Sequence, residues 1–168
     1  MNCIHQRREK RIPKGLKKYI NRIYRSCKNS KWLTYLDTNI IIFILNNDSS
    51  RLSKSQKDIL SSKSTLWASI ASFHEMAVKI RKGNSPIEYS IDDALNKIKD
   101  LGINILSVKE EHIAKITEIP KIYPKKGSLK PHGDPFDLLI ISQSFVEKMP
   151  ILSTDEYFPI YDGLEVID

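Results

Sequence analysis

The chain has 168 residues, 40% hydrophobic and 28% charged, a balance that suits one globular domain with its own core plus a modest extension. No stretch approaches the roughly 20 apolar residues that cross a bilayer, and no apolar segment follows the basic N-terminus as it would in a secretory signal. The two cysteines, Cys3 and Cys27, lie outside the expected core and provide no disulfide framework, so a reducing cytoplasm is the expected compartment.

The net charge of +7 is unevenly spread. Residues 1–33 hold eleven Lys/Arg and one acid, Glu9, for +10, while residues 34–168 hold sixteen basic and nineteen acidic residues, for −3. This divides the chain into a basic N-terminal extension (1–33) and a mildly acidic body (34–168). An asymmetry of that kind points to a tail that contacts nucleic acid, an anionic surface or an acidic partner. After Gly15, the residues Leu16, Tyr19, Ile20, Ile23 and Tyr24 recur at helical spacing, with Lys17, Lys18, Arg22 and Arg25 around them. Such a helix either packs on the body or binds a partner. Cys3, His5 and Cys27 lack the paired spacing of a zinc site.

The body alternates short apolar runs with helical patterns. Tyr35-Leu36 reads as the end of a buried strand. Ile40 to Leu45 is too uniformly apolar for periodicity to decide, and a cap at Thr38 or Asn39 favours a helix. A helix is expected over 53–61, with Leu52, Gln56, Ile59 and Leu60 facing inward. A strand over 65–68 leads into a helix from about Ile70 to Lys82 that stops at Gly83. Ser90 caps a helix over 91–101, a strand follows over 103–108, and another helix over 109–119. Residues 120–133 form the longest irregular stretch, and a loop of that length in a compact domain is commonly functional. Pro135 suits the first turn of a helix to about Lys148, followed by strands at 151–153 and 164–167. Strands alternating with helices predict an α/β fold of three layers, α/β/α, around a central parallel sheet of four to five strands.

Asp37, Glu75, Asp137 and Asp155 each lie just after a strand or in the opening turns of a helix that leaves one. Ligands of open α/β sheets bind beyond the carboxyl ends of the strands, so these acids are placed to converge. Convergent carboxylates do not all stay ionised without a cation, and oxygen donors without a Cys/His cluster favour Mg²⁺ or Mn²⁺. Each acid also has a structural alternative: Asp37 and Asp134 as helix caps, Glu75 as a solvent-facing helical residue, Asp155 as a turn former.

The order and spacing add more. Leu36-Asp37-Thr38-Asn39 is followed by Ser69, Ser72, Glu75, Lys79 and Gly83, then by His132, Asp134-Pro135-Phe136-Asp137 and Leu139 to Gln143, then by Leu152, Thr154-Asp155 and Phe158. This succession resembles the PIN-domain nucleases, and within them the VapC-like ribonuclease toxins of bacterial type II toxin–antitoxin pairs, over residues 34–168. The resemblance implies a PIN-like fold and a Mg²⁺- or Mn²⁺-dependent endoribonuclease with Asp37, Glu75, Asp137 and Asp155 lining the metal site. It also implies a cognate antitoxin and a homodimer. Asp37 and Asp137 are then the principal ligands, and Thr38, Asn39, Thr154 and Asp134 surround them. The family usually has Arg after the acid matched by Asp137 and small Ala residues further on, where this chain has Leu138, Ser142 and Ser144.

His132 is expected to point from its loop to solvent. RNA phosphates are expected to meet Lys79, Arg81 and Lys82 beside Glu75, and Lys125, Lys126 and Lys130 in the long loop. Two other functions fit parts of the sequence: a housekeeping RNA-processing or DNA nuclease, and a non-catalytic RNA- or partner-binding protein acting through its basic helix.

Overall fold

The structure, a computed structural model, describes residues 33–123 and 130–168. The expected basic helix, the Cys3, His5 and Cys27 set, and Lys125 and Lys126 lie outside the described residues. Five strands, β1 (Leu33–Leu36), β2 (Thr65–Ser69), β3 (Asn104–Leu106), β4 (Ile151–Leu152) and β5 (Val166–Ile167), form one sheet. Every pairing is parallel and the order is β3-β2-β1-β4-β5. The helices between them are α1 (Thr38–Leu45), α2 (Lys54–Leu60), α3 (Ile70–Arg81), α4 (Ile91–Asp100), α5 (Glu110–Ile116) and α6 (Pro135–Glu147).

Alternation along the strands supplies two cores. Leu36, Ala68 and Leu152 turn to one face, where they meet Ile40, Ile41 and Leu45 of α1, Met76 of α3 and Ile98 of α4. Tyr35 and Ile151, each adjacent in sequence to one of those residues, turn to the other face and meet Ile140 and Ile141 of α6, with Phe158 and Tyr161. The sheet is therefore covered on both sides, which is the three-layer arrangement expected.

Local chemistry sets the helix ends. Ser53 and Gln56 form a reciprocal capping box at α2, and Ser90 Oγ accepts the Asp93 N–H at 3.1 Å to start α4. The cap of α1 is Asp37, and not Thr38 or Asn39: its carboxylate accepts the Thr38 N–H at 2.6 Å, and Thr38 becomes the first helical residue. α5 ends at Ile116, short of Ile119, because the next amides, Thr117, Glu118 and Ile119, bond three residues back and tighten the chain out of the α-helix. β3 is shorter than its apolar run because its single partner, β2, ends at Ser69 where α3 begins.

Gly83 stops α3 with φ +78°, and its N–H bonds the Ile80 carbonyl at 2.9 Å. An added Cβ meets nothing within 4 Å, so only the left-handed backbone penalises a side chain there. Gly83→Ala should destabilise the fold by about 1 kcal/mol, seen as a lower denaturant midpoint at unchanged slope.

Candidate active site

The strand order reverses between β1 and β4, which are hydrogen-bonded neighbours; this is the switch point of the sheet. Asp37 follows β1 directly and Asp155 lies shortly beyond β4. Glu75 sits in the second turn of α3 and Asp137 in the first turn of α6.

Asp37 is 2% exposed. One of its oxygens takes the Thr38 N–H at 2.6 Å, and the other takes the Ser153 hydroxyl at 2.8 Å. Burial nevertheless pushes its carboxyl up to about 6; the Ser153 and Thr38 bonds oppose that rise, and the charges of Asp155 and Glu75 add to it. Asp137 goes further, to about 7, through burial first and then the negative charges of Asp134, Asp37, Asp155 and Glu75. Both carboxyls feel the negative charges of Asp155 and Glu75, as expected of acids that lie at the same edge of the sheet.

The surroundings differ in part from expectation. Ser153, which the sequence did not mark, serves two acids: its hydroxyl donates to Asp37 and accepts the Asp155 N–H at 3.0 Å. Asp155 in turn accepts the Tyr157 N–H at 2.7 Å. The Thr38 hydroxyl goes to Ser72 Oγ at 3.0 Å and not to a carboxylate. Asn39 and Thr154 form no hydrogen bond to the four carboxylates among the described residues. Asp134 caps α6, its Oδ1 accepting the Phe136 and Asp137 N–H groups at 2.9 and 3.2 Å. Lys79 Nζ lies 2.6 Å from Glu75 Oε1, a pair whose i,i+4 spacing was legible in the helix.

His132 does not face solvent. Its side chain is 10% exposed, with Nε2 3.2 Å from Asp137 Oδ2, and Nδ1 is 2.7 Å from the Tyr161 hydroxyl. The expectation failed because the ring is held between Asp137 at the start of α6 and Tyr161, 29 residues on, a convergence that no local pattern announces.

A cleft of about 260 Å³ opens beside Asp155 and is lined also by Arg51, Gln56, Thr154 and Asp168; it does not reach Asp37, Glu75 or Asp137. A second acidic group, Glu111, His112 and Glu147, brings its ligand atoms within 4.8 Å of one another. Its chemistry is already complete. His112 Nδ1 accepts the Lys109 N–H at 3.1 Å, so Nε2 carries the proton that Glu147 receives at 3.1 Å. Lys109 Nζ reaches the same Glu147 oxygen at 2.8 Å, and that bond holds the Glu147 carboxyl below the usual carboxylate range. No lone pair of the ring is left for a cation.

The residues of the first crevice do fit a hard divalent ion. Their donors are all oxygens, and Asp37 and Asp137 are raised by burial first and by neighbouring negative charge next. Fold and site together define a doubly wound α/β protein with acidic residues gathered at its switch point. The PIN domain family profile matches residues 34–164, and the chain belongs to that family of nucleases. In solved structures it is similar to a chain of VapBC2 from Rickettsia felis bound to a DNA fragment from its promoter. The identity is 14% and the TM-score 0.55, over 80% of this chain and 97% of that one. It is also similar to a chain of VapBC-1 from nontypeable Haemophilus influenzae at 21% identity and TM-score 0.54, over 81% of this chain and 97% of that one. No curated protein matches in sequence.

The raised acids carry a stability consequence. From the ordinary value of 3.8 up to about 7, native Asp137 keeps a proton that the unfolded chain has released. Its contribution to stability therefore falls as pH rises through that window, and the penalty is complete above it. Asp137→Asn should raise the thermal midpoint of the metal-free protein at pH 8, by roughly 2–4 °C per kcal/mol relieved, and leave it nearly unchanged at pH 4. Calorimetric melts of both proteins at the two pH values check this.

Proposed function

We propose that this chain is a Mg²⁺- or Mn²⁺-dependent endoribonuclease and the toxin of a bacterial type II toxin–antitoxin pair. In this reading it works in the cytoplasm as a homodimer and is silenced by a cognate antitoxin. The observation that carries the reading is the crevice in which Asp37 and Asp137 are raised by burial and by neighbouring carboxylates. The motif order from Asp37 to Asp155, membership of the PIN domain family and the fold shared with the two VapBC chains support it. Among the described residues no helix is long and apolar enough to cross a membrane.

A divalent ion at such a site supplies an activated water at neutral pH and stabilises charge on the leaving oxygen. The chain's own residues do the rest. Asp37 and Asp137 are the principal ligands, and Glu75 and Asp155 are further ligands, directly or through water. Ser153 fixes one oxygen of Asp37, and Thr38 fixes the other through its amide. Asp134 fixes the first turn of α6 from which Asp137 projects. Lys79 rests on Glu75, where its ammonium offsets part of the crevice's negative charge. Together with Arg81, Lys82 and the lysines of the 120–133 loop, it is placed in sequence to meet RNA phosphates.

Purified protein should cut RNA with Mg²⁺ or Mn²⁺ and stop in EDTA, and Asp37→Ala and Asp137→Asn should each lose more than about 100-fold in rate. Cleavage that survives both substitutions, or proceeds in EDTA, would sink the proposal. Mapped cuts in total RNA, with single- and double-stranded DNA as competing substrates, identify the substrate class.

Residues 1–33 are assigned as a basic extension that strengthens RNA binding and residues 34–168 as the nuclease domain. Replacing Lys17, Lys18, Arg22 and Arg25 by Gln should flatten the slope of log Kd against log salt for single-stranded RNA by as much as about 3. Fluorescence anisotropy across a salt series reads this, and an unchanged slope would remove the extension from the RNA contact.

A further inference from the structure

We propose that His132 is a positioning residue for the acidic crevice: it links Tyr161 to Asp137 and holds Oδ2 of that carboxylate, leaving the remaining lone pairs to a divalent cation. The inference rests on the metal-dependent reading given above. It concerns a residue that belongs to the loop before α6, and not one of the four carboxylates.

The start of α6 and the distant Tyr161 both meet this ring. His132 Nε2 lies 3.2 Å from Asp137 Oδ2 in the first turn of α6, and Nδ1 lies 2.7 Å from the Tyr161 hydroxyl after the 3-10 turn Phe158–Ile160. Tyr157 covers the ring with centroids 4.9 Å apart. The backbone is fixed too, since the His132 N–H donates to the Ile122 carbonyl at 2.8 Å and closes the base of the long loop. A neutral imidazole has one donor and one acceptor, and the two neighbours decide which is which. As a cation ligand Asp137 is ionised and only accepts, so in that state Nε2–H points at Asp137. Nδ1 then accepts, and Tyr161 must donate. Burial and the charges of Asp137 and Asp155 push the Tyr161 hydroxyl up to about 12, so it keeps its proton across the working pH range. Tyr161 is 2% exposed, so the far end of the relay is held by the core. The result is a directed chain, Tyr161 O–H to His132, His132 N–H to Asp137, that restricts rotation of the carboxylate. A carboxylate oriented in this way binds a cation without first ordering itself.

The test measures Mn²⁺ binding to the metal-free full-length protein by calorimetry or electron paramagnetic resonance, alongside RNA cleavage. His132→Ala should weaken Mn²⁺ binding about 10- to 100-fold, whereas His132→Gln, whose side-chain amide donates from a place near Nε2, should stay within about threefold of wild type. Tyr161→Phe should weaken binding severalfold. In cleavage, kcat at low Mn²⁺ should fall in His132→Ala and recover at high Mn²⁺, with KM for RNA unmoved. Mn²⁺ affinity at the wild-type level in His132→Ala, with Asp137→Asn clearly weaker, overturns the positioning role and leaves the nuclease reading standing. Unchanged Mn²⁺ affinity in Asp37→Ala and Asp137→Asn overturns that reading and the inference with it. If His132→Ala does not fold, Tyr161→Phe decides, and wild-type Mn²⁺ affinity in that variant overturns the inference.

Discussion

The burial of Asp37 is the constraint on which the rest of the site depends. A carboxylate that is 2% exposed at the switch point of a parallel sheet has lost nearly all its water, and the protein offers two hydrogen bonds in return. They do not suffice. The carboxyl remains up at about 6, because burial outweighs Ser153 and Thr38 together and the neighbouring acids work against it. A stable protein keeps such a residue only where the surrounding structure over-determines it, and strain of this kind concentrates at functional sites. The rigid frame around Asp37 supplies that over-determination. β1 is a central strand paired on both sides, and Asp37 is at once the residue after it and the cap of α1.

The same frame brings α6 to Asp37. Tyr35, one of the last residues of β1, donates its hydroxyl to Gln143 Oε1 at 2.6 Å, and Ser69 at the end of β2 donates to the same oxygen at 2.7 Å. Gln143 is fully buried, so these bonds tie α6 to the sheet where each lost partner would leave a desolvated polar group. On the opposite face Gln56 of α2 donates to the Ser153 carbonyl at 2.9 Å, which steadies the residue whose hydroxyl holds Asp37. Asp134 shows how the demands conflict. Its carboxylate is the right group to cap α6, yet its charge is the largest influence after burial in raising Asp137. An uncharged cap such as Ser would have spared Asp137, so the first turn of α6 trades local comfort for negative potential in the crevice.

Much of this was legible in the sequence, for identifiable reasons. The strands read clearly because two-sided burial makes them short apolar runs, and the helices because Ser53, Ser90, Pro135 and Gly83 punctuate them. The four acids read clearly because chain position alone, at the exits of β1 and β4 and the starts of α3 and α6, places them at one edge. What failed was everything decided by rotamer and tertiary neighbour. Thr38 carries a hydroxyl next to Asp37 but spends it on Ser72, and Thr154 sits nearer Asp155 in sequence than Ser153, yet Ser153 holds the acids. His132 looked like a loop residue bound for solvent because Asp137 and Tyr161 converge on it only after the chain has folded.

Clusters of acids are common on protein surfaces, and the two in this fold show what separates a structural one from a reactive one. Around Glu147, a lysine and a neutral histidine contribute donors to the same oxygen, and the acid settles below the usual carboxylate range. Around Asp37 the two donors are an amide and a hydroxyl, neither charged, the neighbouring acids are more, and both the Asp37 and Asp137 carboxyls are pushed up. Lys79 is half-exposed and paired with Glu75, where solvent weakens its charge. The ingredients are alike, but one acid is lowered by charged and ring donors and the others are raised by burial and by one another. That contrast, framed by buried hydrogen bonds on both faces of the sheet, is the property on which the proposed metal-dependent chemistry rests.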